Sequence, residues 1–296
     1  MIPGFTAHRM DGGAGARIAF ERAGEGPPLL LLHGYPQCRY MWRKQAGELA
    51  KRFTVIAADL RGYGESDKPH SNDSHSAYSK RAMAADMAGL MDRLGFARFA
   101  LAGHDRGGRV AHRLALDYAD RVSRLAVIDI APTLAMYEAT DKAFATAYYH
   151  WFFLIQPRGL PERLIGADPA FFLDVTLESW SKTPGAIEPA ARDEYLRHFA
   201  HEDTIRATCE DYRAAAGIDL EHDLADSQSR VACPVLALWG ARGVVARMFD
   251  PQGLWQARSA LPVQGQALDC GHFVPEEAPG PTLDALNRFF SEGDAK

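Results

Sequence analysis

The chain has 296 residues, 47% of them hydrophobic, enough for one large core or a core with an inserted segment. Its net charge of −5 offers no basic surface for nucleic acid, although a small pocket can still be locally basic and take an anionic substrate. Cys38, Cys209, Cys233 and Cys270 are scattered without C-x-x-C spacing and read as reduced thiols of a cytoplasmic protein, with no disulfide frame or metal site; no signal-peptide pattern or membrane-length apolar run is read.

In chain order, residues 17–23 and 28–32 read as early strands. The second, Pro28-Leu29-Leu30-Leu31-Leu32, is an unbroken apolar run of the kind buried on both faces, and it ends in His33-Gly34-Tyr35-Pro36. A strand at 53–58 ends in Asp59-Leu60-Arg61-Gly62-Tyr63-Gly64-Glu65-Ser66. A helix follows at 79–94, then strands at 97–102, 124–129 and 234–240. Strands separated by helical patterns predict an α/β fold with a mostly parallel sheet covered by helices. Between 133 and 222 the pattern turns helical and aromatic-rich, with stretches at 137–154, 169–180 and 188–199. This segment reads as a helical cap inserted between core halves 1–132 and 223–296. No internal repeat or low-complexity segment interrupts the chain.

The most informative stretch is Gly103-His104-Asp105-Arg106-Gly107-Gly108-Arg109, set between an apolar run (99–102) and a helical one (110–116). That is the strand–sharp turn–helix setting of a nucleophile elbow, G-x-S-x-G, with Asp105 where serine usually stands. A serine attacking an sp³ carbon would form an ether and stop after one turnover. A carboxylate forms an ester, which water can open at the carboxyl carbon with a histidine as base. Asp105 therefore favours hydrolytic displacement at an alkyl carbon, as in dehalogenation or epoxide opening. The bland alternative is a simple helix N-cap.

His272, late in the chain within Gly271-His272-Phe273, fits the last place in the order nucleophile, acid, histidine and would activate water. For the acid, the loop after the 234–240 strand offers no carboxylate until Asp250. Asp129 instead ends the strand after the nucleophile helix, where carboxyl ends line a crevice, so it is preferred and Asp250 is the fallback. The backbone N–H groups of Arg106 and Tyr35 are the expected oxyanion donors. Arg106 and Arg109 put two cations next to a helix N-terminus that is already positive. They need compensating anions: Asp105 for one and a substrate carboxylate for the other. His33 and His104 read as structural neighbours of the site.

Over nearly its whole length the chain resembles the α/β-hydrolase superfamily. Within it, the chain looks most like the fluoroacetate dehalogenases, on the strength of the elbow, His150-Trp151, Trp180 and Cys209-Glu210-Asp211-Tyr212-Arg213. The resemblance implies the α/β-hydrolase fold and Asp129 as the acid. It also implies a halide pocket of His150, Trp151 and Tyr212, with Trp180 as a pocket wall. It implies a homodimer, and no metal or organic cofactor.

The leading expectation is hydrolysis of short 2-haloacids such as fluoroacetate through an aspartyl ester. One alternative is an epoxide hydrolase that protonates the opening ring with Tyr148, Tyr149, Tyr195 or Tyr212. Another is a non-catalytic small-molecule binder on a hydrolase scaffold.

Overall fold

A computed structural model describes residues 1–291. Its strands are β1 (Thr6–Asp11), β2 (Arg17–Ala23), β3 (Pro28–Leu32), β4 (Thr54–Ala58), β5 (Phe99–His104), β6 (Val122–Ile128), β7 (Val235–Gly240) and β8 (Val263–Leu268). They form one sheet in the order β1-β2-β4-β3-β5-β6-β7-β8. Only β2 runs against the rest; every pair from β4 through β8 is parallel. The expected α/β architecture with a mostly parallel sheet is present. Leu29–Leu32 and all of β4 and β5 are buried, as strands covered on both faces must be.

Two strands escape the apolar pattern. β1 (TAHRMD) and β8 (VQGQAL) are the sheet's edges and are exposed over much of their length, so polar residues fill them. An edge strand needs little apolar side chain to pair.

Helices α1 (Arg43–Leu49), α2 (Lys80–Arg93) and α3 (Arg106–Asp117) alternate with the first strands. Between β6 and β7 the chain carries only helices: α4 (Thr133–Glu138), α5 (Lys142–Ala147), α6 (Tyr149–Phe153), α7 (Leu160–Ala167), α8 (Pro169–Trp180), α9 (Pro189–Phe199), α10 (Glu202–Ala216) and α11 (Ile218–Ala225). The stretch 137–154, read as one helix, is broken into α4, α5 and α6. Asp141 starts α5 by accepting the Phe144 N–H at 2.8 Å, which stops the preceding helix from continuing. The last helix before β7, α11, ends at Ala225.

The core resumes with α12 (Val244–Met248), α13 (Pro251–Gln256), α14 (Val274–Glu277) and α15 (Pro279–Ser291). The four cysteines are buried and free of disulfides. Among the described residues no helix is long and apolar enough to cross a membrane.

Candidate active site

The strand order reverses at β3. From β3 the chain steps to β4 on one side, then returns to lay β5 on the other. In open parallel sheets the crevice beyond the carboxyl ends at such a reversal collects ligands. Tyr35 follows β3 and Asp105 follows β5, so both sit at this point.

The turn carrying Asp105 is sharp. Asp105 has φ +45° and ψ −115°, outside the comfortable regions for an L-residue. Its neighbours permit this only as glycines. A Cβ on Gly103 would meet the Gly107 carbonyl oxygen at 2.4 Å, and one on Gly107 would meet the His33 carbonyl oxygen at 2.4 Å. Asp105 makes no side-chain cap bond to α3. Its Oδ2 instead accepts the Tyr35 N–H at 3.0 Å, from the other side of the crevice. A simple N-cap would have turned its side chain onto its own helix.

Asp129 follows β6, again with positive φ (+51°). Its Oδ1 accepts the Gly240 N–H at 2.9 Å, and its Oδ2 accepts from His272 Nδ1 at 2.7 Å. This fixes the tautomer: Nδ1 carries the proton and Nε2 keeps a lone pair. That Nε2 is buried and has no hydrogen-bond partner. Asp250, the fallback acid, is exposed at the N-terminus of α13, where its Oδ1 accepts the Gly253 N–H at 3.1 Å. It serves that helix as a cap, and His272 is served by Asp129.

Electrostatics separates the three groups. Burial pushes the Asp105 carboxyl up, but His272, His104, Arg106 and Arg109 outweigh it and hold the group below its ordinary range. Burial raises the Asp129 carboxyl, and its bond to His272 offsets only part of that. Burial works against a charged His272, yet Asp129 and Asp105 together raise it above the ordinary histidine value. His104 and His150 are pushed down to about 3, chiefly by burial, and stay neutral. His33 uses both ring nitrogens in the framework, donating from Nδ1 to the Gly34 carbonyl and accepting the Leu60 N–H. His104 donates from Nε2 to the His272 carbonyl at 2.8 Å. Both are the structural neighbours their positions suggest.

A cavity of about 320 Å³ opens onto Asp105, Asp129, His150, Trp180 and His272, walled further out by Tyr148, Tyr149, Lys182 and Arg247. Trp180 thus stands in a wall, its ring 4.4 Å from His150 and 5.3 Å from His272. Arg106, Arg109, Trp151 and Tyr212 do not line this cavity. They are packed against one another beside Asp105: the Arg106 guanidinium lies 4.2 Å from the Tyr212 ring centre and Arg109 lies 4.8 Å from that of Trp151.

The arginines differ in how they are compensated. Asp105 was expected to supply one of their anions, but it forms an ion pair with neither. Arg106 is forked onto Asp211, Nε to Oδ2 at 2.9 Å and Nη2 to Oδ1 at 2.5 Å. Asp211 also takes Lys80 and, at 2.6 Å, the Tyr63 hydroxyl. Arg109 is buried and bonds only neutral groups: the Ala131 carbonyl, the Thr133 hydroxyl and the Met136 sulfur. Burial and the nearby Arg106 both weaken its hold on its proton. Around Asp105, Arg106 Nη1, Arg109 Nε, His150 Nδ1 and the Tyr212 hydroxyl are buried without partners. Each such group costs about 1–3 kcal/mol left alone, so the cluster is poised for an acceptor, and an anion above all.

Sequence reasoning overlooked Asp211 as the counterion of Arg106, although it lies inside the singled-out segment 209–213. A carboxylate on the buried face of a helix, next to an aromatic, was the available signal. Lys182 and Arg247 were also overlooked; both are exposed and nothing local marks them.

The chain matches the model of the alpha/beta hydrolase fold family over residues 27–279. It is 44% identical to a fluoroacetate dehalogenase of Burkholderia sp over 99% of this chain and 96% of the relative. It is 36% identical to a soluble epoxide hydrolase of Corynebacterium sp. (strain C12), covering 94% of each. The crystal structure of ALR0039 from Nostoc sp PCC 7120 superposes with a TM-score of 0.97 at 54% identity, over 99% of this chain and 100% of that one. With its parallel sheet, its elbow at the strand reversal and these relatives, the chain belongs to the alpha/beta hydrolase family.

Proposed function

We propose that this hydrolase cleaves the carbon–halogen bond of short 2-haloacids such as fluoroacetate, through an ester on Asp105. The observation that carries this reading is the buried, carboxylate-free Arg109 beside an ionised Asp105. A site for neutral alkyl halides or epoxides has no use for an uncompensated cation there. The 44% identity to a fluoroacetate dehalogenase supports the same substrate class.

Tyr35 holds Asp105 Oδ2, leaving Oδ1 to attack Cα while the substrate carboxylate rests on Arg109 and on Nη1 of Arg106. The C–F bond breaks as the C–O bond forms. Fluoride leaves toward His150, Trp151 and Tyr212, whose N–H and O–H groups meet the compact charge as it develops. Water then attacks the ester carbonyl and His272 Nε2 takes its proton. The carbonyl oxygen, Oδ2, becomes the oxyanion under the Tyr35 N–H, aided by the N–H of Arg106 at the start of α3. As the tetrahedral adduct collapses, His272 returns its proton to the departing glycolate oxygen, and the proton left on the Asp105 carboxyl passes to solvent, restoring the carboxylate. Neither step calls for a metal or organic cofactor.

The decisive experiment is a single turnover with fluoroacetate in ¹⁸O-water. The glycolate oxygen should come from Asp105 and the label should enter the protein. His272→Asn should hold a carboxymethyl ester visible by intact mass, and Asp105→Asn should release no fluoride. Label appearing directly in first-turnover glycolate would sink the ester route.

Epoxide hydrolysis is the second reading, favoured by Tyr148 in the cavity wall and the free hydroxyl of Tyr212. Tyr195 drops out of it, since its hydroxyl is spent on Glu276 and Arg43. Diol from a styrene-type epoxide, without fluoride from fluoroacetate, would select this reading.

A further inference from the structure

Away from Asp105, a second group of ligand-bearing side chains bridges the helical insertion and the core. Cys38 lies in the loop after β3, and Glu194 and His198 lie one turn apart on α9. Their ligating atoms all fall within 4.8 Å of one another. Cys38 is 1% exposed and His198 6% exposed. The His198 Nε2 atom is buried and makes no hydrogen bond, although Glu194 Oε1 lies 3.4 Å from it.

We propose that Cys38, Glu194 and His198 form a binding site for a thiophilic divalent cation of the Zn²⁺ type, which ties α9 to the loop carrying Tyr35.

The donor set fits. One sulfur, one imidazole nitrogen and one carboxylate oxygen suit zinc, whereas magnesium and calcium want oxygen alone. Glu194 and His198 at i and i+4 present their donors on one helix face. Tetrahedral zinc at bond lengths of about 2.0–2.3 Å puts its ligand atoms roughly 3.5 Å apart. Glu194 Oε1 already lies 3.4 Å from His198 Nε2, and the other gaps, none above 4.8 Å, must close by at most about 1.3 Å. Water completes the fourth position.

The charges around the site also fit. Glu194 is now forked by Arg197, at 3.0 and 2.7 Å, but Arg197 is 52% exposed and such a surface pair is readily given up. The buried His198 Nε2, which makes no hydrogen bond, is available to a cation. Cys38 surrenders its thiol proton to solvent as the sulfur–metal bond forms. Nothing in the local sequence reveals this grouping, because Cys38 stands far from Glu194 in the chain and only the fold joins them.

Occupancy has a structural consequence near the other site. The turn from Gly34 to Gln37 is closed by a backbone bond of 3.0 Å, and it carries the Tyr35 N–H that holds Asp105. Phe199, next to His198, packs its ring 5.9 Å from that of Tyr35. A cation on Cys38 and His198 would therefore pin Tyr35 from both sides.

The test uses chelator-treated full-length protein and the metal alone. Cobalt should bind at one equivalent, with a thiolate-to-cobalt charge-transfer band in the near ultraviolet and strong tetrahedral bands in the visible. Zinc should erase these bands and raise the melting temperature. Cys38→Ser should abolish the charge-transfer band, and Glu194→Gln should weaken binding at least tenfold. If Cys38→Ser does not fold, X-ray absorption of the zinc-loaded wild-type protein decides without any variant. One sulfur at about 2.3 Å with nitrogen and oxygen at about 2.0 Å supports the site. A shell without sulfur, or an unchanged cobalt band in Cys38→Ser, overturns it.

Discussion

The Arg109 guanidinium lies 4.8 Å from the centre of the Trp151 ring, buried, with no carboxylate bonded to it. Its neighbour three residues earlier, Arg106, is forked onto Asp211, which it shares with Lys80 and the Tyr63 hydroxyl. The molecule thus compensates one cation permanently and leaves the other to Trp151's π-face and a few neutral acceptors. An uncompensated buried charge costs folding free energy, which a functional site tolerates and a scaffold does not.

Replacing Arg109 by Met should therefore separate stability from activity. The melting temperature should hold or rise, because the buried cation is gone. The kcat/KM for fluoroacetate should fall about 10- to 150-fold, the worth of a charge-assisted bond to the substrate carboxylate. Thermal melts and steady-state kinetics on the same preparation check both halves. A clear loss of stability with unchanged kcat/KM would make Arg109 a structural residue.

Asp211→Asn should behave in the opposite way. Asp211 faces Arg106, Lys80 and the Tyr63 hydroxyl while fully buried, and the two cations hold its carboxyl well below the ordinary range despite burial. Removing its charge strands Arg106 and leaves Lys80 only Asp219, at 3.4 Å, and should cost about 3–5 kcal/mol in urea unfolding. Adding Arg106→Met should recover part of that loss, since among the described residues Arg106 has no other carboxylate bonded to it.

These two arginines also mark how far the sequence could be read. Asp105, Asp129 and His272 were legible because each sits at a strand end or in a motif whose geometry is local, and the parallel sheet followed from apolar runs such as 29–32. The partnership of Arg106 with Asp211 was not, because it joins α3 to α10 across a long stretch of chain. The edge strands β1 and β8 were hidden by their polar faces. The separation of α4 from α5 within 137–154 turned on Asp141 capping α5, a choice that helical periodicity alone does not contain. Trp151 and Tyr212 were read as halide donors from the resemblance. Their packing onto the arginines, out of the open cavity, was visible only in three dimensions.

On the proposed ester route, the two chemical steps should respond differently to pH. Alkylation needs Asp105 ionised. Its carboxyl is held below the ordinary range with His272 in place, so adduct formation in the wild-type protein should stay level down to mildly acidic pH. Ester hydrolysis needs neutral His272, whose value is raised by Asp129 and Asp105 against the effect of burial. Hydrolysis should therefore be lost as pH falls through that raised value, above the usual 6.5 or so. Esterification neutralises Asp105 and withdraws one of the charges raising His272, so the limb should sit lower in the ester than in the free enzyme. For stability the sign reverses. A histidine raised on folding stabilises the native state below its unfolded value, and that contribution disappears as pH rises through the folded one. Pre-steady-state quench experiments across pH separate the two steps. An alkylation rate that follows the same limb as hydrolysis would contradict the assignment.

The mouth of the cavity gives the last prediction. The protein as a whole is acidic, at −5, yet the outer wall of the cavity presents exposed Lys182 and Arg247. Lys182 leans on the Ser179 carbonyl at 2.6 Å and neither side chain is bonded to a carboxylate among the described residues. A locally positive entrance on an acidic surface raises the concentration of a small anion at the site without touching the chemistry. The double variant Lys182→Gln, Arg247→Gln should therefore lower kcat/KM for fluoroacetate several-fold at about 10 mM salt and leave kcat unchanged. The gap should close near 1 M salt, where the screening length has shrunk from about 30 Å to about 3 Å. A neutral haloalkane, if turned over at all, should show no such salt dependence. A loss that persists in high salt would mean that Lys182 or Arg247 contacts the bound substrate directly, and would place the substrate carboxylate at the mouth instead of on Arg109.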